Sequence, residues 1–372
     1  MVKIGITGQA GFVGTHLYNT LGLFPEEFER IDFKKEYFAD STELNEFVVQ
    51  CDVIVHLAAL NRHNDPQVIY ETNIDLVQKL IKSLEQTKSK SHILFSSSTQ
   101  EEKENLYGKS KKNGRELLIN SAKTTGGKFT GMIIPNVFGP FGHPNYNSVI
   151  ATFSHKLAHN ETPIIEVDGD MKLIYVGELV SAILAEIRRD EGNPEVMVEH
   201  TSESKVSQLL SLLESYKGQY QDCGIIPSIN SAFELNLFNT FRCYMDIANH
   251  FPVNFIEHTD SRGSFVEVIR LGVGGQVSFS TTVSGITRGN HYHTRKIERF
   301  AVIKGKALIQ LRRIGTDEVL NFYLDGNEPA YVDMPIWYTH NIKNIGDEVL
   351  YANFWINEFY DPNDPDTYFE NV

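Results

Sequence analysis

Cysteine is scarce in this chain. Cys51, Cys223 and Cys243 are the only three thiols among 372 residues. Their odd number, wide spacing and lack of a C-x-x-C pair exclude a disulfide framework and fit buried thiols in a reducing compartment. Positive charge is short as well: 34 Lys and Arg stand against 48 Asp and Glu, a formal net charge of −14. Such a surface repels polyanions, so neither nucleic acid nor an anionic membrane is an expected partner. No apolar run approaches the roughly 18 residues that a membrane span needs. Internal repeats and low-complexity tracts are missing too. Met1 to Thr7 leads straight into an apolar run without signal-peptide anatomy, so a soluble, cytoplasmic protein is expected.

Apolar residues make up 41% of the chain, enough for two domains with separate cores. Up to about residue 200, short apolar runs (Val2–Thr7, Phe28–Phe33, Val53–Leu57, Ile93–Ser97, Thr130–Ile134) alternate with helical spacing (Phe12–Leu23, Glu43–Gln50, Pro66–Gln86, Tyr107–Lys123). That alternation predicts an α/β, Rossmann-like, doubly wound parallel sheet. Ser204 is a candidate N-cap for a helix over Lys205–Lys217, and Ala232–Asn249 reads as another helix. Past His250 the pattern changes to short alternating runs broken by Gly, Asn and Asp, including Phe265–Ile269, Gln276–Thr282, Phe300–Ile303, Ala307–Leu311, Leu320–Leu324 and Val349–Trp355. This is all-β patterning of a sandwich or jelly roll. The expected boundary lies near 246–254, giving a dinucleotide-binding domain over 1–247 and an all-β domain over 253–372.

Two constellations carry chemistry. Gly8, Gly11 and Gly14 follow the first strand as G-x-x-G-x-x-G and open the first helix, where a pyrophosphate is held by backbone N–H groups. Tyr107 and Lys111 stand four apart on a helix, so they share a face, and the ammonium is expected to draw the phenol pKa down from about 10. At the end of the second strand Asp32 suits the ribose hydroxyls of NAD, whereas Lys34 and Lys35 suit the 2′-phosphate of NADP; an Asp32 that only caps a loop fits equally.

With His56-Leu57-Ala58-Ala59 after the third strand and Pro135-Asn136-Val137-Phe138-Gly139-Pro140 after a later one, residues 1–250 resemble an extended short-chain dehydrogenase/reductase of the nucleotide-sugar type. The resemblance implies Tyr107 as proton donor, Lys111 as its tuner and ribose ligand, and Ser98 (with Ser97 and Thr99 as rivals) as the hydroxyl orienting a substrate carbonyl. It implies a nicotinamide cofactor, NADPH or NADH, held by Gly8, Gly11, Phe12, Val13, Gly14, Asp32, Lys34, Leu57, Ala58, Ala59, Tyr107, Lys111 and Pro135. Asn136 would touch the sugar nucleotide. Two features depart from that family: the short interval between Ser98 and Tyr107, and Ile133 where the family often has Arg.

The second constellation matches the cupin motif G-x5-H-x-H-x4-E-x6-G from Gly285 to Gly305. His291 and His293 alternate along a strand and face one side; Glu298 and the later His340 complete a set of three imidazoles and one carboxylate that suits Zn, Mn, Fe or Ni, with Zn²⁺ the ion that the resemblance implies. In Pro335-Ile336-Trp337-Tyr338-Thr339-His340, Trp337 replaces the glycine of the second cupin motif, so a different turn is expected there. The stretches around Asp260-Ser261-Arg262-Gly263 and Arg288-Gly289-Asn290-His291 resemble deoxysugar 3,5-epimerases. In those enzymes the residue matching His291 is the base, a role a metal ligand cannot readily share. The base is left open, with Tyr338 and Lys296 as candidates.

Taken whole, the chain resembles the bifunctional capsular-polysaccharide reductase/epimerases, in which a short-chain reductase is fused to a cupin. The resemblance rests also on Asn61-Arg62, Pro144–Phe153 and Asp361–Phe369, the last without an evident chemical role. It implies a UDP-linked deoxy amino sugar substrate, contacts from Asn61, Arg62, Asn136, Arg262 and Arg288, and a homodimer.

Overall fold

The computed structural model of the chain describes residues 1–261 and 263–372. Its N-terminal elements run β1 (Val2–Thr7), α1 (Phe12–Leu21), β2 (Phe28–Ile31), α2 (Ser41–Gln50), β3 (Val53–His56), α3 (Pro66–Thr87), β4 (His92–Ser98), α4 (Leu106–Thr125), β5 (Phe129–Ile134) and β6 (Asn136–Phe138). After α5 (Val149–Ala158) come β7 (Asp170–Tyr175), α6 (Val176–Arg189), β8 (Asn193–Met197) and β9 (Ser202–Lys205). Successive side chains in a strand point to opposite faces, and here both faces are buried. Val53 and Val55 join a cluster with Leu17 and Ile183, whereas Ile54 joins another with Phe47 and Leu80. The sheet order is β2-β1-β3-β4-β5-β8, with all neighbours parallel. The order reverses at β1, the switch point that opens a ligand crevice beyond the strand ends in such sheets. The glycine loop follows β1, Ser98 ends β4, and Pro135 follows β5.

The later elements are α7 (Val206–Tyr216), α8 (Ala232–Arg242), α9 (Ile247–His250), β10 (Val253–Asn254), β11 (Glu257–Asp260), β12 (Gly263–Val266), β13 (Gln276–Thr282), β14 (Thr287–Tyr292), β15 (Glu298–Lys304), β16 (Lys306–Arg313), β17 (Val319–Asp325), β18 (Ala330–Met334), β19 (Tyr338–Asn344), β20 (Leu350–Ile356) and β21 (Tyr368–Phe369). Two five-stranded antiparallel sheets, β10-β18-β15-β20-β13 and β17-β16-β19-β14-β21, share one core that includes Val302 and Val332 from the first and Ile309, Phe322 and Ile342 from the second.

Two compact units result: residues 1–149 with 167–206, and 150–166 with 207–372. The second unit thus begins well before the pattern change near 246–254. Its helices are tied to the β-sheets by a buried polar network. Asp333 on β18 accepts from Arg299 Nε at 2.7 Å and from the Tyr220 hydroxyl at 2.6 Å, and Arg242 on α8 donates to the Met334 carbonyl at 3.0 Å. Ser204 lies within β9, and the following helix starts at Val206, so the expected N-cap moves off Ser204. The helix expected over Ala232–Asn249 is interrupted after Arg242 and resumes at Ile247, where the Asp246 side chain accepts from Asn249 N. Among the described residues no helix is long and apolar enough to cross a membrane.

Candidate active site and metal centre

The glycine loop is a cradle that side chains would fill. Gly8 has φ 76°, and a Cβ there would meet Ala58 N at 2.9 Å; one on Gly14 would meet the Gly8 carbonyl at 2.2 Å. Gly11 occupies the N-cap of α1 without a side-chain cap, leaving the N–H groups of the first turn available for a phosphate. Phe12 and Val13 are half-buried, and Phe12 lies edge-on to His16, which bonds the Pro140 carbonyl. Leu57, Ala58 and Ala59 border the loop: Leu57 N donates to the Thr7 carbonyl and Ala58 N to Thr7 Oγ1. Asp32 is exposed and accepts from the Tyr18 hydroxyl at 2.8 Å, while Gln9 of the loop accepts from Phe33 N. Lys34 is exposed next to it. The residues present fit a dinucleotide, with both signs of charge at the ribose end.

Ser98, Tyr107 and Lys111 come together. Ser98 lies near enough to the Tyr107 phenol to favour its ionised form, while its own hydroxyl accepts from Gln100 N at 3.2 Å. Ser97 instead donates to Glu101. The Lys111 ammonium, 4% exposed, donates to the Ser96 carbonyl at 2.8 Å and stands 5.9 Å from the Tyr107 ring centre. Burial, with the nearby Tyr146, pushes the Tyr107 phenol up to about 12 against the pull of Ser98. Burial also brings Lys111 down to about 8, opposed by Glu101. The expected lowering of the tyrosine pKa by Lys111 is therefore not found, because desolvation outweighs an ammonium that points to a carbonyl. A phenol kept protonated is the form that donates a proton during ketone reduction.

The short Ser98–Tyr107 interval is closed by packing. Asn105 caps α4 by accepting from Gly108 N, and a Cβ on Gly108 would lie 1.9 Å from the Gln100 carbonyl. Arg115 of α4 grips Glu101 of the same interval, its Nη2 donating at 2.7 Å. Neither Gly108 nor the Arg115–Glu101 pair stood out in the sequence, since nothing local marks a residue whose partner lies on another element.

Asn61 and Arg62 face the 145–146 segment: Asn61 N donates to the Tyr146 hydroxyl, and Arg62 Nη1 donates to the carbonyls of Asn145 and Tyr146. Tyr146 also senses Tyr107, so this cluster borders the phenol. Pro135 is buried, and Asn136 is exposed at the start of β6. Arg288 is exposed on β14, and Arg262 lies outside the described residues.

Among the described residues one potential metal set is present, His291, His293, Glu298 and His340, with ligand atoms all within 4.8 Å of one another. Glu298 Oε2 lies 3.1 Å from Nε2 of both His293 and His340. His340 Nε2 is buried yet makes no hydrogen bond. Burial lowers His291 to about 4, with His340 adding to the effect, so it is neutral at pH 7 and can ligate. Burial would raise the pKa of Glu298, but its hydrogen bond with His293 and the adjacent His340 ring hold it below the usual carboxylate range. The orphaned nitrogen and the clustered donors fit a divalent ion. A bulge at Asn290, φ 61°, places His291 directly opposite His340.

Trp337 takes the kind of backbone conformation that glycine favours. It adopts the left-handed conformation itself, φ 61°, and its indole stacks on Tyr292 with ring centres 5.7 Å apart. Lys296 donates to the Pro365 carbonyl, and the charges acting on Tyr338 come from Cys243, Arg313 and Glu318, so neither candidate base is drawn to the cluster. Asp366, in the tail that had no evident role, bonds the ligand loop.

Comparison with known proteins completes the picture. Residues 4–198, just over half the chain, match the NAD dependent epimerase/dehydratase family, and residues 258–368 match the polysaccharide biosynthesis C-terminal domain. A Pseudomonas aeruginosa UDP-2-acetamido-2,6-beta-L-arabino-hexul-4-ose reductase is 30% identical over 99% of this chain and 98% of its own. The chain belongs to the CapF-type capsular-polysaccharide reductase/epimerase family. The crystal structure of the capsular polysaccharide assembling protein CapF from Staphylococcus aureus is 34% identical, with a TM-score of 0.63 and full coverage of both chains. RMD from Pseudomonas aeruginosa, solved with NADPH, is 20% identical over 59% of this chain and 83% of its own, with a TM-score of 0.53, a likeness of fold. Membership makes the protein an enzyme of the nucleotide-sugar reductase/epimerase class, with a nicotinamide cofactor and a place in polysaccharide biosynthesis.

Proposed function

We propose that the chain epimerises C3 of a UDP-2-acetamido-2,6-dideoxy-4-hexulose in its C-terminal domain, read as a cupin, and reduces the C4 ketone in its N-terminal domain. The product is UDP-2-acetamido-2,6-dideoxy-L-talose, a precursor of N-acetyl-L-fucosamine in capsule or O-antigen. The carrying observation is the Ser98–Tyr107–Lys111 cluster beside the glycine cradle, in a chain matching a hexulose reductase along its length. When bound, NADPH supplies the hydride to C4; Lys34 suits its phosphate, Asp32 suits NADH, and initial rates with each cofactor decide. Ser98 orients the ketone oxygen. Tyr107 donates its phenolic proton to that oxygen, and Lys111 holds the ribose and neutralises the resulting phenolate. Asn61, Arg62, Asn136, Arg262 and Arg288 are assigned to the sugar nucleotide.

Epimerisation exchanges the C3 proton, acidic beside the C4 ketone, between the two faces of the sugar. His291, His293, Glu298 and His340 would hold a zinc ion, which supplies positive charge near the developing enolate. Reduction removes the ketone and draws the reversible epimerisation forward. On this reading the protein works in the cytoplasm, in line with its lack of signal-peptide anatomy, and as the homodimer that the resemblance implies.

A second reading keeps the reductase and makes the C-terminal domain structural. It is favoured by the placement of Lys296 and Tyr338, which leaves the cluster without an assigned base. Deuterium exchange separates the two. Full-length protein with the ketone in deuterated water and no nicotinamide should label C3, and an unlabelled sugar would leave only the reductase. Tyr107→Phe should slow nicotinamide oxidation by about 10²–10⁴-fold while sparing the label; loss of both contradicts two separate sites.

A further inference from the structure

The last residues of the chain form a strap across the strands that carry the metal-ligating histidines. β21 pairs with β14, setting Phe369 opposite His291 and Tyr368 opposite Tyr292, and the rings of Tyr368 and Tyr292 stack at 5.4 Å. Thr339, beside His340 on β19, donates its hydroxyl to the Glu370 carbonyl. Arg312 donates to the Glu370 carboxylate at 2.9 Å. Within the strap Asp366 is 2% exposed and acts twice. Its carboxylate accepts from Thr294 N at 3.0 Å, Thr294 Oγ1 at 2.7 Å, Arg295 N at 3.0 Å and Lys296 N at 3.1 Å. Its carbonyl accepts the Nδ1 proton of His293.

We infer that this strap, through Asp366, sets the affinity of the centre for its divalent ion, and that Asp366 is a positioning residue. The inference rests on reading the four-residue cluster as a metal site. With Nδ1 committed to that carbonyl, Nε2, which is hydrogen-bonded to Glu298 at 3.1 Å, is the nitrogen of His293 that turns a lone pair to an ion once its own proton is displaced. Residues 294–296 are most of the link between His293 and Glu298, and three of their backbone N–H groups end on one buried carboxylate. A buried carboxylate with four donors is stable only in that arrangement, since unpaired it would be too costly to bury. The bonds to Asp366 thus fix both the ring orientation of one ligand and the loop between two, the work that outer partners of metal ligands do.

The test is zinc affinity of the full-length chain, read by competition with a chromophoric chelator, with urea unfolding of the metal-free forms alongside. Asp366→Ala should weaken zinc binding about 10–100-fold. Asp366→Asn, which keeps an acceptor for Thr294 but turns an amide toward the other donors, should weaken it less and supplies the measurement if the alanine variant does not fold. Asn363→Ala, in the same tail, should bind as the parent does. Unchanged zinc affinity in folded Asp366→Ala and Asp366→Asn overturns the inference and leaves the strap a structural brace. A parent chain that binds no zinc overturns the metal reading itself.

Discussion

Single residues decide the reductase site, and two of them act by what they forbid or endure. Gly108 leaves no room for a methyl group against the Gln100 carbonyl. Gly108→Ala should therefore cost about 1–3 kcal/mol in urea unfolding and lower the reduction rate by shifting Tyr107. Lys111 endures burial. Its folded pKa of about 8 lies below the ordinary 10.5, so between those values the native chain binds fewer protons than the unfolded one, and stability rises with pH. Below pH 8 a cost of roughly 3 kcal/mol persists, set by the size of that shift. Lys111→Met should thus abolish reduction yet raise the unfolding midpoint at pH 7, with the gain shrinking from pH 8 upward. An unaltered midpoint would show that the ammonium is better solvated than its burial implies. Tyr107 and Lys111 were legible from their spacing; the direction of the Tyr107 pKa was not, because burial is a property of the fold.

At the scale of elements, parallel strands and their helices were readable because period-2 and period-3.6 patterns are local. β1, β3, β4 and β5 lie within a residue or two of expectation. The polar or short strands β6, β7, β8 and β9 carry no such pattern and had escaped notice. α7 and α8 were visible as helices, but not their allegiance to the β-sheets, where Arg242 bonds the Met334 carbonyl and Tyr220 bonds Asp333, itself paired with Arg299. Side chains of Arg299 and Asp333 are 3% and 0% exposed, and Arg299 also lies over the Tyr331 ring at 3.7 Å. Asp333→Asn leaves a buried guanidinium without its counter-charge and should cost roughly 3–5 kcal/mol in chemical denaturation. A loss below 1 kcal/mol would mean that water reaches Arg299. The bulge at Asn290 is the other hidden device: a one-residue insertion decides which side chain opposes His340.

For the whole molecule, the metal set and the dinucleotide site belong to different compact units. Zinc should raise only the calorimetric transition of the C-terminal unit, by about 4 kcal/mol at a thousandfold excess over its Kd. Equal movement of every transition would mean that the two units unfold as one. Residue types and spacing alone pointed to the two-part plan, the glycine cradle, the Tyr-Lys pair and the His/Glu cluster, because most of their residues lie close along the chain and His340 alone follows at a distance. Only the tertiary structure could join Asp366 to His293, Glu101 to Arg115 and α8 to β18, or raise the Tyr107 pKa. Those effects come from desolvation and from contacts between residues far apart in the chain, and neither leaves a mark on local sequence.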